Sequence, residues 1–250
     1  MNMLTSPFEQ FQIISIIPLS IGNFNISFTN SSLFMLIVVA AISGLFVFSL
    51  YEATLIPREW QSVAELSYLF ILGLIREQIG DAGYKYLPLI FTTFMFLLTS
   101  NLLGMIPYTF TVTSHIIVTF GLALSIFIGI QIVAGIHHGW HFFSFFLPQG
   151  APLALAPFLV LIEIMSYTFR VFSLAIRLFA NMMSGHTLLK ILAGFSWTML
   201  SVGGFLYVLS VVPLLIIFAL TGLELAIAFL QAYVFTILVC IYLNDSIHLH

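Results

Sequence analysis

Arg177 is the residue of this chain whose chemistry is hardest to reconcile with its surroundings. It stands in Ser-Leu-Ala-Ile-Arg-Leu-Phe-Ala-Asn (173–181), near the middle of an apolar stretch from Leu153 to Phe195. A guanidinium keeps its proton at any working pH, and a charge at the centre of a bilayer costs about 3 kcal/mol even on a lenient insertion scale. Such a residue either forms an ion pair that joins helices or takes part in moving charge.

Other polar residues recur at helical spacing in the same part of the chain. Glu163, Arg170 and Arg177 are seven residues apart, and Glu224, Gln231 and Asp245 fall on one heptad series further on. Seven residues at 100° each return to within about 20° of the starting direction. Each of two helices therefore carries one polar stripe.

The two stripes predict a specific pairing if their helices run antiparallel. One register then forms three pairs: Glu163 with Asp245, Arg177 with Gln231, and His186 with Glu224. The first pair would lie toward the inner face of a membrane, the second near its middle and the third toward the outer face. A histidine titrates near neutral pH, so it is suited to relaying protons. Acid and imidazole groups on either side of a permanent cation predict two proton paths kept apart by a positive charge.

The elements that must position these residues are apolar throughout. The chain has 250 residues, of which 61% are hydrophobic and only 6% are charged, whereas soluble domains have roughly 25% charged residues. We therefore expect an all-α integral membrane protein with a single membrane domain over residues 1–250. Six Lys and Arg and a net charge of −3 leave no basic surface for nucleic acid.

The hydrophobic pattern divides this domain into five segments. These are an extended or partly helical N-terminal segment (1–30), a first upright span (33–51), an amphipathic helix (57–81), a helical pair (86–136) and a long hairpin (153–243). The first span has the length of the roughly 20 apolar residues that cross a bilayer. Within the helical pair, we expect Asn101 to form an interhelical hydrogen bond, worth about 1 kcal/mol.

The amphipathic helix 57–81 has charged residues at both ends of an apolar centre, and Trp60 near its start. This pattern is typical of a helix that lies in the membrane interface. A short crossing helix is the alternative.

The last hundred residues predict two helices that are too long to stand upright. At 1.5 Å per residue, a helix from Leu153 to Phe195 is about 65 Å long, whereas the hydrocarbon core is about 30 Å thick. The helix that follows, from Trp197 to Leu243, is longer still, although Gly203, Gly204 and Pro213 should interrupt its start. We expect a strongly tilted two-helix hairpin.

Three histidines, His137, His138 and His141, lie close together after the helical pair. Their spacing is weak evidence for a metal site, and Gly139 and Trp140 between them favour an interfacial loop. Neither a metal nor a cofactor is expected.

Lys and Arg favour the side of a membrane from which a chain is inserted. Arg58, Arg76 and Lys85 all lie between the first two spans, so this connection should face the matrix or cytoplasm. The loop 137–149 and the C-terminus are expected on the same side, with the N-terminus opposite.

Three sequence motifs resemble subunit a of the rotary ATP synthase membrane sector. They are the stretch 173–181 followed by His186, the stretch Gly-Leu-Glu-Leu-Ala-Ile-Ala-Phe-Leu-Gln-Ala-Tyr (222–233), and Asn-Leu-Leu-Gly-Met-Ile-Pro (101–107). The similarity covers nearly the whole chain from Ser6 onward.

The resemblance implies a role for each of the polar residues. Arg177 matches the essential arginine that faces a ring carboxylate, with Asn181 and Gln231 as its neighbours. Two half-channels complete the assignment: Glu163 and Asp245 on the ATP-producing side, and His186 and Glu224 on the proton-rich side. The order of His186 and Glu224 is similar to that in mitochondrial members, particularly fungal ones. Arg170 is interpreted as a counter-ion for Glu163 or for a lipid headgroup.

The resemblance also implies a function: a stator subunit, not catalytic on its own, that conducts protons to and from the carboxylates of a rotating c-ring. Its expected partners are the c-ring, peripheral-stalk and other membrane-sector subunits, and the lipid bilayer. The mitochondrial inner membrane is the expected location, with the bacterial plasma membrane as the alternative. From the residues alone, a secondary transporter or a membrane subunit of another respiratory complex stays open.

Overall fold

The fold is helical almost from end to end. The computed structural model describes residues 6–22, 24–51, 53–106, 109–139 and 156–247. The α-helices within these ranges are α1 (Asn30–Tyr51), α2 (Glu59–Gln78), α3 (Leu87–Gly104), α4 (Ile116–His138), α5 (Ala156–Val202), α6 (Phe205–Leu209) and α7 (Val211–Ile247). The prediction of an all-α integral membrane protein is thereby confirmed.

Five stretches of the described chain are long and apolar enough to cross a membrane: Asn30–Tyr51, Asp81–Gly104, Ile116–His138, Pro157–Val202 and Tyr207–Ile247. They correspond to the five crossings expected from the sequence. α2 is not among them, in agreement with an interfacial position, although that position stays a prediction.

α5 and α7 are the two long helices that the sequence predicts. α5 has 47 residues and α7 has 37, so they are about 70 Å and 55 Å long. Gly203 and Gly204 end α5 because both have positive φ, at 75° and 64°, a conformation that glycine adopts without strain. Pro213 lies in the first turn of α7, where its missing N–H costs no helical hydrogen bond. The strong tilt of these helices stays a prediction, and residues 153–155 lie outside the described ranges.

The N-terminal segment is extended and includes short strands. After a 3₁₀ turn at Pro7–Phe11, the strands are β1 (Ser15–Ile17), β2 (Ser20–Ile21), β3 (Phe24–Asn25) and β4 (Phe28–Thr29). β1 pairs with β4 and β2 pairs with β3, both antiparallel. These four strands form one nested hairpin, which we call the N-terminal hairpin.

Contacts within the chain divide it into two compact units. The first unit comprises Met1–Gly44, Phe96–His115 and Leu178–Ala232, and the second comprises Leu45–Met95, Ile116–Arg177 and Tyr233–His250. Each unit therefore contains one half of α5 and one part of α7.

Asn101 lies at the centre of the first unit, where its side chain is fully buried. Its Nδ2 donates to the carbonyl of Ala228 on α7 at 3.1 Å, and its Oδ1 accepts from Thr113 Oγ1 at 3.0 Å. The predicted interhelical hydrogen bond is thus confirmed. Burial lowers the pKa of His115, which directly precedes α4, so this imidazole is neutral near pH 7.

In the second unit, α2 packs one face inward. Its buried residues are Gln61, Ala64, Ile71, Leu74 and Ile75. The Gln61 amide also exchanges hydrogen bonds of 3.1 and 3.0 Å with the backbone of Thr54, which ties the preceding loop to the helix. Leu66 on the opposite face is exposed, as is Trp60 in the first turn.

Candidate functional site

The first unit contains a cavity of about 190 Å³ between α5 and α7. Its polar lining residues are Asn181, Ser184, His186 and Glu224, and its apolar lining comes from Met105, Met182, Leu188, Leu220, Leu223 and Ile227. The structure therefore brings His186 and Glu224 together, as the antiparallel register predicts. Asn181, which the resemblance placed beside Arg177, lines the same cavity.

His186 and Glu224 each direct a polar atom away from any protein partner. Glu224 is only 9% exposed. Its Oε2 and the Nε2 of His186 are buried and have no hydrogen-bond partner among the described residues. Buried polar groups are normally hydrogen-bonded to protein or to water. The cavity is large enough to hold water beside these atoms.

Gly185 is a site residue that the sequence did not reveal. A Cβ built on it would lie 2.5 Å from Glu224 Oε1 and 3.0 Å from Glu224 Cδ, closer than carbon and oxygen can approach. The absence of a side chain at this position therefore allows the Glu224 carboxyl group to lie directly against α5. A glycine next to a candidate histidine carries no polar signal, so only the packing identifies it.

The second unit contains a separate polar cluster around Arg170. The guanidinium Nη1 lies 3.7 Å from Asp245 Oδ2. Its Cζ lies 5.4 Å from the ring centre of Tyr167 and 5.5 Å from that of Tyr242, both within cation–π range. Tyr167 is held in turn by Gln131 on α4, whose Nε2 donates to the phenol oxygen at 2.6 Å.

This cluster gives Arg170 an ion partner within the chain. Arg170 pairs with Asp245, whereas the sequence suggested Glu163 or a lipid headgroup as its partner. Glu163 is half-buried and forms no ion pair with the described residues. The placement of Glu163 and Asp245 at one level of the membrane stays a prediction.

Arg177 is exposed on α5 and forms no ion pair with the described residues. Gln231, its expected partner, is half-buried on α7. Arg177 belongs to the second unit and Gln231 to the first, so their pairing stays a prediction.

Two of the three clustered histidines bind protein groups in the second unit. His138 Nε2 donates to the carbonyl of Ser246, near the end of α7, at 3.0 Å. His137 Nε2 lies 3.4 Å from the hydroxyl of Tyr86. His141 lies outside the described residues, and the interfacial-loop interpretation stays a prediction.

The helices and their ionisable groups define a class: a multi-pass α-helical membrane protein that carries acids, an imidazole and guanidinium groups on helices long and apolar enough to cross a membrane. Comparison with known proteins places the chain within that class. A family model described as "ATP synthase A chain" matches residues 32–244, so the chain belongs to that family.

Individual relatives agree with the family model. A protein from Marchantia polymorpha named "ATP synthase subunit a" is 60% identical, over 99% of this chain and 100% of the relative. A protein of the same name from Chondrus crispus is 56% identical, over 99% of this chain and 98% of the relative. One from Brassica napus is 57% identical, over 98% of this chain and 97% of the relative. The chain is therefore similar to membrane-sector subunits of ATP synthase, the complex that couples proton transport to ATP synthesis. These relatives do not test the expected fungal affinity.

Proposed function

We propose that this chain is the stator subunit that conducts protons through two offset half-channels to and from the carboxylates of a rotating c-ring. The observation that carries the proposal is the exposed Arg177 of α5, an intramembrane cation without an ion partner in the described chain. Leaving it unpaired is costly at this depth unless a partner outside the chain supplies the negative charge.

A rotor carboxylate is a suitable partner for electrostatic reasons. In lipid the carboxylate must be neutral, because an isolated buried charge is prohibitive and the group binds a proton instead. Beside Arg177 it can ionise and release that proton. The permanent charge of Arg177 also prevents protons from passing directly between the two half-channels.

The outer half-channel is assigned to the cavity of the first unit. His186 and Glu224 both line it, and both have a buried polar atom without a hydrogen-bond partner among the described residues. Waters bonded to these atoms would form a relay in which an imidazole and a carboxyl group exchange protons with the ring.

The inner half-channel is assigned to Glu163 and Asp245 in the second unit. Asp245 is 38% exposed at its side chain, beside Arg170. Protons that leave the ring after nearly a full turn would depart on this side. The membrane potential supplies about 2.3 kcal/mol per charge per 100 mV to drive the cycle.

This function implies partners and a location. The c-ring, the peripheral stalk and other membrane-sector subunits are the proposed partners, and the subunit is not catalytic by itself. We assign it to the mitochondrial inner membrane because the order of His186 and Glu224 resembles that of mitochondrial members. Family membership argues against the two alternatives, a secondary transporter and a subunit of a different respiratory complex.

Replacing Arg177 tests the proposal. Arg177→Ala in the assembled complex should abolish ATP synthesis driven by a proton gradient and leave a passive proton leak through the membrane sector. Ser173→Ala, an exposed position one helical turn earlier, is the matched control and should preserve synthesis. An Arg177→Ala complex that still makes ATP from a proton gradient would refute the role.

A further inference from the structure

We propose that the N-terminal hairpin is a membrane anchor that lies in the lipid headgroup layer, next to the first residues of α1. This inference concerns a surface that the proton-conducting function does not use. It rests on exposure, charge, hydrogen bonding and the chemistry of strand edges.

The hairpin exposes apolar side chains along its length. All three residues of β1 are exposed, Ile16 to 49% and Ile17 to 52%, around the register shift in its pairing with β4. Ile13, Ile14, Leu19 and Ile26 are also exposed. A two-stranded ribbon in water normally covers one apolar face against a core. Here no side chain of β1 is covered by the described part of the chain.

The hairpin contains no charge that would keep it in water. Every residue from Gln10 to Tyr51 is uncharged, which includes the whole hairpin and all of α1. Uncharged apolar surface that continues into a membrane span is suited to lipid rather than to solvent. The lack of charge also means that electrostatic attraction to anionic headgroups is not required.

Asn30, the first residue of α1, is hydrogen-bonded to the residues that directly precede β1. Its Oδ1 accepts from the backbone N–H of Ile14 at 3.2 Å, and its Nδ2 donates to the carbonyl of Gln12 at 3.0 Å. The Asn30 backbone N–H also donates to the Ile14 carbonyl at 3.1 Å. Since α1 is a candidate membrane span, β1 is held where that span begins.

The strand edges determine how deep the hairpin can lie. The two ladders contain only two residue pairs each, so most backbone groups on the outer edges have no strand partner. In the hydrocarbon core each unsatisfied group costs several kcal/mol, and open edges are excluded from it. In the headgroup layer, water and lipid oxygens satisfy these groups while the isoleucines reach the acyl chains.

Photo-crosslinking from two positions of β1 tests the anchor in the assembled complex. Ile16→Cys and Ile17→Cys are labelled separately with a benzophenone maleimide, the complex is reconstituted in phosphatidylcholine vesicles, and the labelled peptide is analysed by mass spectrometry after photolysis. Glu9→Cys, an exposed position in the preceding 3₁₀ turn, is the control. We expect lipid adducts from both isoleucine positions, several-fold above the control and unchanged by high salt.

Two results would overturn the proposal. Crosslinks from either isoleucine position to another subunit would show that protein covers the hairpin. Yields of lipid adduct as low as those of Glu9→Cys would show that the hairpin faces water. Because proton pumping is not the readout, neither result bears on the half-channel assignment.

Discussion

At the scale of single residues, the cavity between α5 and α7 depends on a side chain that is missing. Gly185 leaves the space that the Glu224 carboxyl group occupies, since an added Cβ would lie 2.5 Å from Glu224 Oε1. The neighbouring His186 contributes the imidazole of the same cavity. The position of the acid therefore depends on the smallest residue in the site.

Gly185→Ala should displace the Glu224 carboxyl group and reduce proton pumping. The clashing atoms are at the far end of the flexible Glu224 side chain, so the methyl group moves the proposed relay with little loss of stability. The measurement is ATP-driven proton pumping per assembled complex, together with the thermal stability of that complex.

Gly194→Ala is the matched control on the same helix. A Cβ at Gly194 meets nothing within 4 Å, and alanine is favoured over glycine in a helix by about 1 kcal/mol. Pumping should be unaffected and stability equal or slightly higher. Equal pumping by both variants would show that the position of Glu224 is not critical.

Part of this site could be predicted from the sequence because some of its side chains differ in polarity from the residues around them. His186 and Glu224 stand out as polar groups in an apolar stretch, where each needs a reason. Gly185 has no such contrast, since glycine is frequent in membrane helices and its function here is only to leave space. Its role follows from the distance between two helices, which the sequence does not specify.

At the scale of elements, α5 and α7 meet in the second unit through two short motifs that fit together. Tyr167 and Arg170 are three residues apart on α5, and Tyr242 and Asp245 are three residues apart on α7, so each pair lies on one helix face. The guanidinium is held between both rings and next to the acid. Helix lengths and breaks could be predicted from apolar runs and glycines. The contacts of this cluster could not, because a polar stripe does not specify which side chains of two helices touch.

Tyr242→Leu should destabilise the complex more than Tyr242→Phe does. Phenylalanine keeps a ring over the guanidinium of Arg170, whereas leucine removes it, at a cost of about 0.5–2 kcal/mol. The difference in thermal stability between these two variants should vanish when Arg170→Ala is also present, because the cation is then gone. A difference that persists without Arg170 would mean that the ring acts by packing alone.

At the scale of the whole molecule, the distribution of cations and the number of crossings determine the topology. Arg58, Arg76 and Lys85 all lie between α1 and α3, which predicts that this connection is on the inner side. The sequence sets this expectation well, because Lys and Arg are few and clustered. It leaves one alternative open, since the apolar centre of α2 has a length that is ambiguous between an interfacial and a crossing helix.

Accessibility from the two sides of the membrane distinguishes these positions of α2. Glu59 begins α2 and Lys85 follows it, and both side chains are exposed. If α2 lies in the interface, Glu59→Cys and Lys85→Cys should both react with an impermeant maleimide from the inner side, in sealed vesicles of known orientation. Ser6→Cys should react only from the outer side. The native Cys240 is buried and provides an unreactive background.

A crossing α2 would give a different result: Glu59→Cys and Lys85→Cys would react from opposite sides. The clustered cations Arg58, Arg76 and Lys85 would then be divided between the two faces of the membrane, against the charge rule that orients the chain. Five spans would become six, and the two chain ends would lie on one side. Reaction of Lys85→Cys from the inner side is therefore the result on which the orientation of the proposed half-channels depends, because the two crossings α3 and α4 separate Lys85 from the start of α5 and so put His186, in the later part of α5, toward the outer face.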